Sequence, residues 1–152
     1  MNRLFRFGLL CIAALIGGCA VGPDTSYVTS LQQPADAETL ADGMAAFVAM
    51  RFPAASSTVA LDPTPSSQAG NAVTPALAAA LRRLGFGVAE EAGTAPAGAH
   101  RLRYLVTALD GGDLVRLTLD DSAEGSRFFM RNTAGGLQSS GPFMVTQAEA
   151  AR

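Results

Sequence analysis

The chain of 152 residues has no lysine, no tryptophan, a single histidine and two cysteines. Each scarcity bears on function. A hydrolytic triad needs a base beside its nucleophile. His100 stands at the start of an alternating segment with no Ser or Cys motif beside it, and it reads as an exposed strand-end residue. There is no Cys/His cluster of the kind zinc requires, no Gly-x-Ser-x-Gly elbow and no phosphate-binding glycine loop. Charged residues make up only 16% of the chain, and the formal charge of −2 becomes −4 once Arg3 and Arg6 leave with an N-terminal signal. An acidic chain without basic clusters argues against nucleic acid as a partner. The lysine-free, Ala- and Gly-rich composition matches a GC-rich coding bias rather than a function. Asp110, Asp113, Asp120 and Asp121 lack the spacing of an EF-hand loop and read as solvated hairpin ends. Glu90 and Glu91 are adjacent strand residues and point to opposite faces. The sequence therefore predicts no catalytic residue, no metal site and no cofactor, and the expectation is a protein that is not an enzyme.

What is present begins at the N-terminus. Arg3 and Arg6 precede an apolar run over 7–16, too short to span a bilayer, which takes about 20 residues, and suited to the core of a secretory signal. Ile16-Gly17-Gly18-Cys19 then matches a bacterial lipobox. A thiol is the nucleophile that accepts a diacylglyceryl group, and a peptidase must fit small residues before it, so cleavage is expected after Gly18. The freed amine of Cys19 then takes a further acyl chain. The covalent lipid, S-diacylglyceryl and N-acyl on Cys19, is expected to anchor the protein firmly, since each buried CH₂ is worth about 0.8 kcal/mol. Ala20 in place of an aspartate points to the outer membrane, with the domain in the periplasm. Cys11 is discarded with the signal, so the mature chain has no internal disulfide and must rely on an apolar core.

The expected organisation is a signal peptide over 1–18, a lipidated cysteine and flexible tether over 19–35, an α+β domain over 36–146 and a frayed tail over 147–152. Asp36 is the expected N-cap of a helix over 37–52, with Leu40, Met44, Phe47 and Val48 as its buried stripe. A short strand follows over 57–61. A second helix over 74–85 has Thr74 as cap, Pro75 in first position and Gly85 as stop; a start near Ser67 with a kink at Pro75 is the alternative. Strands are expected over 87–91, 100–110, 113–120, 126–131 and 141–146. Helices first and strands afterwards predict two helices packed on one face of a mainly antiparallel sheet of about five strands.

Alternation then assigns faces. Leu102, Tyr104, Val106, Val115, Leu117, Leu119, Phe128 and Met130 are expected under the helices. The opposite face would carry Arg101, Arg103, Arg116, Arg127 and Arg131 together with Leu105, Leu109 and Phe129. Arginine mixed with aromatic and aliphatic side chains is the composition of interface hot spots, so this face is expected to dock an acidic envelope partner.

Three stretches, "MAAFVAMRFPAASSTVALDPT", "PALAAALRRLGFGVAEE" and "LRYLVTALDGGDLVRLTL", with the lipobox, give the chain a resemblance to the TrbH family of conjugal-transfer lipoproteins. The sequence departs from the family pattern at Phe52-Pro53-Ala54 and at Phe86. The resemblance implies a structural or assembly part in mating-pair formation, the envelope-spanning type IV secretion apparatus of conjugation, with other envelope proteins of that channel as partners. It transfers no catalytic residue. The alternative is an outer-membrane lipoprotein that binds a periplasmic ligand or glycan, or regulates an envelope enzyme.

Overall fold

The computed structural model describes residues 25–29, 31, 33–68, 71–90 and 95–147; the signal sequence, Gly18, Cys19 and residues 148–152 lie outside them. Helix α1 runs Pro34–Ala49, three residues earlier than expected. Proline in the first position brings a preset φ and no N–H to satisfy. Asp36 is therefore not the N-cap but the third helical residue, where its carboxylate accepts the Gln33 N–H at 3.0 Å and sits in the favourable field of the helix N-terminus. Leu40, Met44, Phe47 and Val48 are fully buried, as their spacing requires.

Helix α2 runs Val73–Arg83. Asn71, not Thr74, supplies the capping oxygen, accepting the Thr74 N–H at 3.0 Å and its hydroxyl at 3.1 Å. Ser66–Gln68 is a separate 3-10 turn, and Pro75 falls within the first turn of α2. At the other end Phe86 N–H donates to Leu81 O at 3.1 Å and Gly85 N–H to Arg82 O at 2.9 Å. With Gly85 at φ 94° this is a Schellman stop. Gly85→Ala would meet nothing closer than Ala54 Cβ at 3.9 Å, so its cost is purely conformational. A loss of about 1 kcal/mol is expected in urea denaturation; no change would mean the turn relaxes.

Eight strands form one sheet: β1 Tyr27–Val28, β2 Thr58–Leu61, β3 Gly87–Ala89, β4 His100–Leu109, β5 Gly112–Leu119, β6 Ala123–Arg131, β7 Leu137–Ser139 and β8 Met144–Gln147. The order is β3-β2-β4-β5-β6-β7, with β1 on β4 and β8 on β6. The sheet is mainly antiparallel, as expected, but it is mixed and has eight strands among the described residues rather than about five. β1–β4, β2–β3 and β2–β4 are parallel, and the pairs among β4 to β8 are antiparallel. The cause is α2, which serves as the crossover that a parallel β2–β3 pair needs.

Tyr27 and Val28, within the stretch expected to be a tether, belong to the sheet as β1, and their neighbours Ser26 and Thr29 bond to β4. Thr29 N–H donates to Val106 O at 2.9 Å, and Tyr104 N–H donates to the buried Ser26 hydroxyl at 3.2 Å. Gln68 grips the other edge of β1: its Oε1 accepts the Val28 N–H at 2.9 Å while its Nε2 donates to Val28 O.

Both helices lie on one face, as expected. There, Leu102, Tyr104 and Val106 pair with Leu119, Leu117 and Val115, all buried. The Tyr104 hydroxyl meets the Thr74 hydroxyl of α2 at 2.5 Å; burial raises its pKa and this bond partly lowers it again. The register places Arg127 beside Val115, Phe129 beside Asp113 and Gly125 beside Leu117. Strand β6 therefore turns Arg127, Phe129 and Arg131 toward the helices and Phe128 and Met130 away, the reverse of the expected assignment. Packing decides it. A Cβ on Gly125 would sit 2.5 Å from Phe47 Cζ, and one on Gly43 would sit 2.6 Å from Phe129 Cζ. Helix and strand exchange rings for glycines, and only one phase of β6 allows that.

Candidate partner-binding face

The face of the sheet opposite the helices has two ends of different chemistry. At the β2 end Asp62, 6% exposed, follows β2 directly and lies between two guanidinium groups. Arg101 Nη2 donates to both its oxygens at 3.0 and 3.1 Å, and Arg103 Nε donates at 3.2 Å. Asp121 approaches the same pair, 3.2 Å from Arg103 and 3.5 Å from Arg101. The two arginines are thus matched by two carboxylates. Asp121 sits with Asp120 in the β5–β6 turn, where both residues have positive φ, 55° and 50°. That backbone is costly for a non-glycine residue. Asp120 offsets it by accepting the Arg101 N–H at 2.8 Å and lying 2.8 Å from His100 Nδ1.

The far end is apolar. Thr107, Leu114 and Phe128 line up across three strands, and Leu109, Gly112 and Met130 form the next row. Gly112 is required here by the close approach of β6: a Cβ would overlap Phe129 O as well as lie 2.9 Å from Phe128 Cζ. Tyr27, Leu109, Met130 and Met144 of this face are all exposed, Met144 by 75%. Between the ends lies a concavity of about 450 Å³ lined by Arg103, Leu105, Arg116, Thr118, Glu124 and Ser126, among others. Arg116 is exposed and has no carboxylate partner among the described residues.

Of the residues expected on the docking face, the structure brings Arg101, Arg103 and Arg116 together there with Leu105 and Leu109. Arg127, Phe129 and Arg131 lie on the helix side. Phe129 is 1% exposed. Arg127 lies over the Phe129 and Phe143 rings at 5.2 and 5.3 Å. Arg131 Nη2 donates to Asp36 at 2.9 Å and to Asp113 at 3.4 Å, and its Nη1 to Gly135 O at 2.6 Å. Phe128 and Met130 take the vacated places on the open face, beside Leu114, which alternation already puts there. Asp62 escaped the reading as well; its one signal was a carboxylate placed directly after an apolar strand and before Pro63.

The four hairpin aspartates are dispersed, Asp113 inside and Asp120 and Asp121 on the opposite end of β5. Among the described residues no group of three or more His, Cys, Asp or Glu is placed to hold a metal. His100 stacks on Phe52 at 3.6 Å between ring centroids, so it is half-buried rather than an exposed strand end. With a ring on one side and Asp120 on Nδ1, its placement is structural. Cys19 and Gly18 lie outside the described residues.

Burial pushes the Asp113 carboxyl above its usual value, Arg131 pulls it down, and Asp36 pushes it up again. A carboxyl raised in the fold binds its proton more tightly there than in the unfolded chain. Its contribution to stability is then fully present below about pH 3.9 and is lost as pH rises through the folded value. Relative to Asp113→Asn, which does not titrate, the wild type is expected to lose stability from about pH 4 toward pH 7. Urea midpoints of both proteins across that range provide the check, and a difference rising with pH would contradict the assignment.

A family model described as conjugal transfer protein TrbH matches residues 21–149. No curated protein and no solved structure matches the chain.

Proposed function

We propose, since the chain belongs to the TrbH family of conjugal transfer proteins, that it is a lipid-anchored, non-enzymatic structural or assembly component of the envelope-spanning conjugation apparatus. Membership makes it a component of conjugal transfer; the anchor and the docking role are our reading. The observation that carries the docking role is the open sheet face, where Leu109 and Met130 stand exposed in the row of Gly112, while Met144 shares the row of Arg116 farther along the strands. Exposed apolar groups gathered on one face of a monomer favour protein association, and an arginine without a counter-ion favours an acidic surface on the partner. Arg101 and Arg103, tied to Asp62 and Asp121, stiffen that surface more than they attract. The proposed attachment is lipid on Cys19 of the Ile16-Gly17-Gly18-Cys19 lipobox. The outer membrane, by way of Ala20, is the proposed location.

Arg116→Glu combined with Met130→Asp changes two exposed positions and is expected to leave the thermal transition in place. Loss of a hot spot weakens binding by about tenfold or more, so conjugative transfer should fall by a similar factor. Cys19→Ser should abolish incorporation of labelled palmitate. Unchanged mating with a cell-wall defect would instead favour the alternative, a lipoprotein that binds a glycan or regulates an envelope enzyme.

A further inference from the structure

We propose that the groove between α1 and β8 accepts an extended, acidic and apolar segment of another protein as an additional strand on β8. Eight arginines lie in the described residues, and five of them (Arg82, Arg83, Arg101, Arg103 and Arg131) face carboxylates. Of the three that do not, two line this groove. Arg51 lies over the Phe47 ring at 4.9 Å, and Arg127 is held between Phe129 and Phe143. Among the described residues the buried Nε of Arg127 has no hydrogen-bond partner. A guanidinium packed on rings has its plane covered and its edge donors left for a planar acceptor, which suits a carboxylate. The rest of the lining is apolar, from Ala46, Met50, Pro142, Phe143 and Val145, around a volume of about 430 Å³.

Strand β8 supplies the second half of the argument. Among the described residues it pairs only with β6, so its outer edge presents unpaired N–H and C=O groups, a template for strand addition. Val145, on the helix-side face of β8 beside Gly125, is 48% exposed, and Met50, directly after α1, is 70% exposed. Helix α1 covers β6 and leaves the inner face of β8 open. A strand added about 4.8 Å beyond β8 would send every second side chain into that opening. Apolar residues there meet Met50, Phe143 and Val145, and a carboxylate meets Arg51 and Arg127. This surface is on the opposite side of the sheet from the open face, so the protein would join two partners.

The test is selection of random octapeptides displayed on phage against the full chain in detergent micelles. Enriched peptides are expected to place Asp or Glu two or four residues from Leu, Val or Ile. They should bind at least about tenfold more weakly to Arg51→Gln/Arg127→Gln. Their binding should slow hydrogen exchange of β8 amides. Val145→Glu, at a half-exposed site, adds a repelling charge and should abolish binding with the thermal midpoint unchanged, which covers the case where the arginine variant fails to fold. Absence of acidic enrichment, equal binding to Val145→Glu, or unprotected β8 amides would each overturn the proposal. So would arginine-dependent binding of phosphatidylglycerol vesicles with no peptide selected, which would make the groove a lipid contact.

Discussion

Phe47→Ala is expected to lower the stability of the domain by about 3–5 kcal/mol, the cost of emptying a large aromatic site in a close-packed core. The ring is fully buried and is held on several sides. Phe143 packs against it at 4.7 Å between centroids, tilted by 46°, Arg51 lies over it, and the backbone of Gly125 forms its floor. A glycine floor cannot collapse into the space the ring leaves, so relaxation is limited and the upper part of the range is expected. Urea denaturation gives the number directly, and a loss below about 1 kcal/mol would mean that α1 shifts to fill the cavity. The same contact makes Gly125→Ala destabilising, because a Cβ there lies 2.5 Å from the ring. Combining Gly125→Ala with Phe47→Leu should cost less than the sum of the two single changes, since the residues share one space.

Asp36→Ala should be of similar size, about 3–5 kcal/mol, the usual cost of removing one partner from a buried charge pair. Asp36 is 1% exposed. Its two oxygens accept from Arg131 at 2.9 and 3.3 Å, and one of them also accepts the Gln33 N–H. Alanine leaves Arg131 facing Asp113 at 3.4 Å and the Gly135 carbonyl, and it uncaps the first turn of α1. Asp36→Asn keeps the shape and should recover part of the loss. If Asp36→Ala costs no more than an ordinary helix cap, about 1 kcal/mol, the pairing with Arg131 contributes little and only the cap matters.

Local periodicity made much of the fold legible. The stripe of α1, the α2 stop at Gly85 and the alternation of β4 and β5 all follow from residues within one or two turns of each other. What escaped was set by distant partners. β1 is two residues long, and its order comes from β4 and from Gln68, forty positions away. The phase of β6 runs against local pattern because Phe128 and Met130 look more like core than Arg127 and Arg131 do. The deciding facts are a buried acid on α1 and a ring on α1 that needs Gly125. A glycine in the middle of a strand is the local sign of such a close approach. The candidate face was legible in β4 and β5, and its β6 contribution had to be exchanged for Phe128 and Met130. The neutralising role of Asp62 depends on β2 lying parallel to β4, which no hairpin logic supplies.

The incorporation of Tyr27 and Val28 into the sheet, with Ser26 bonded to β4, has a mechanical consequence for an anchored protein. From Cys19 to Ser26 the chain advances seven residues, and seven residues reach at most about 25 Å when fully drawn out. With lipid on Cys19, the domain would hang on a short leash fastened at its own central strand, not at a loose terminus. Its tilt would be restricted by where β1 leaves β4. Any force between the membrane and a docked partner would then pass along β1 into β4, so the anchor would set how the protein faces its neighbours as well as where it stays.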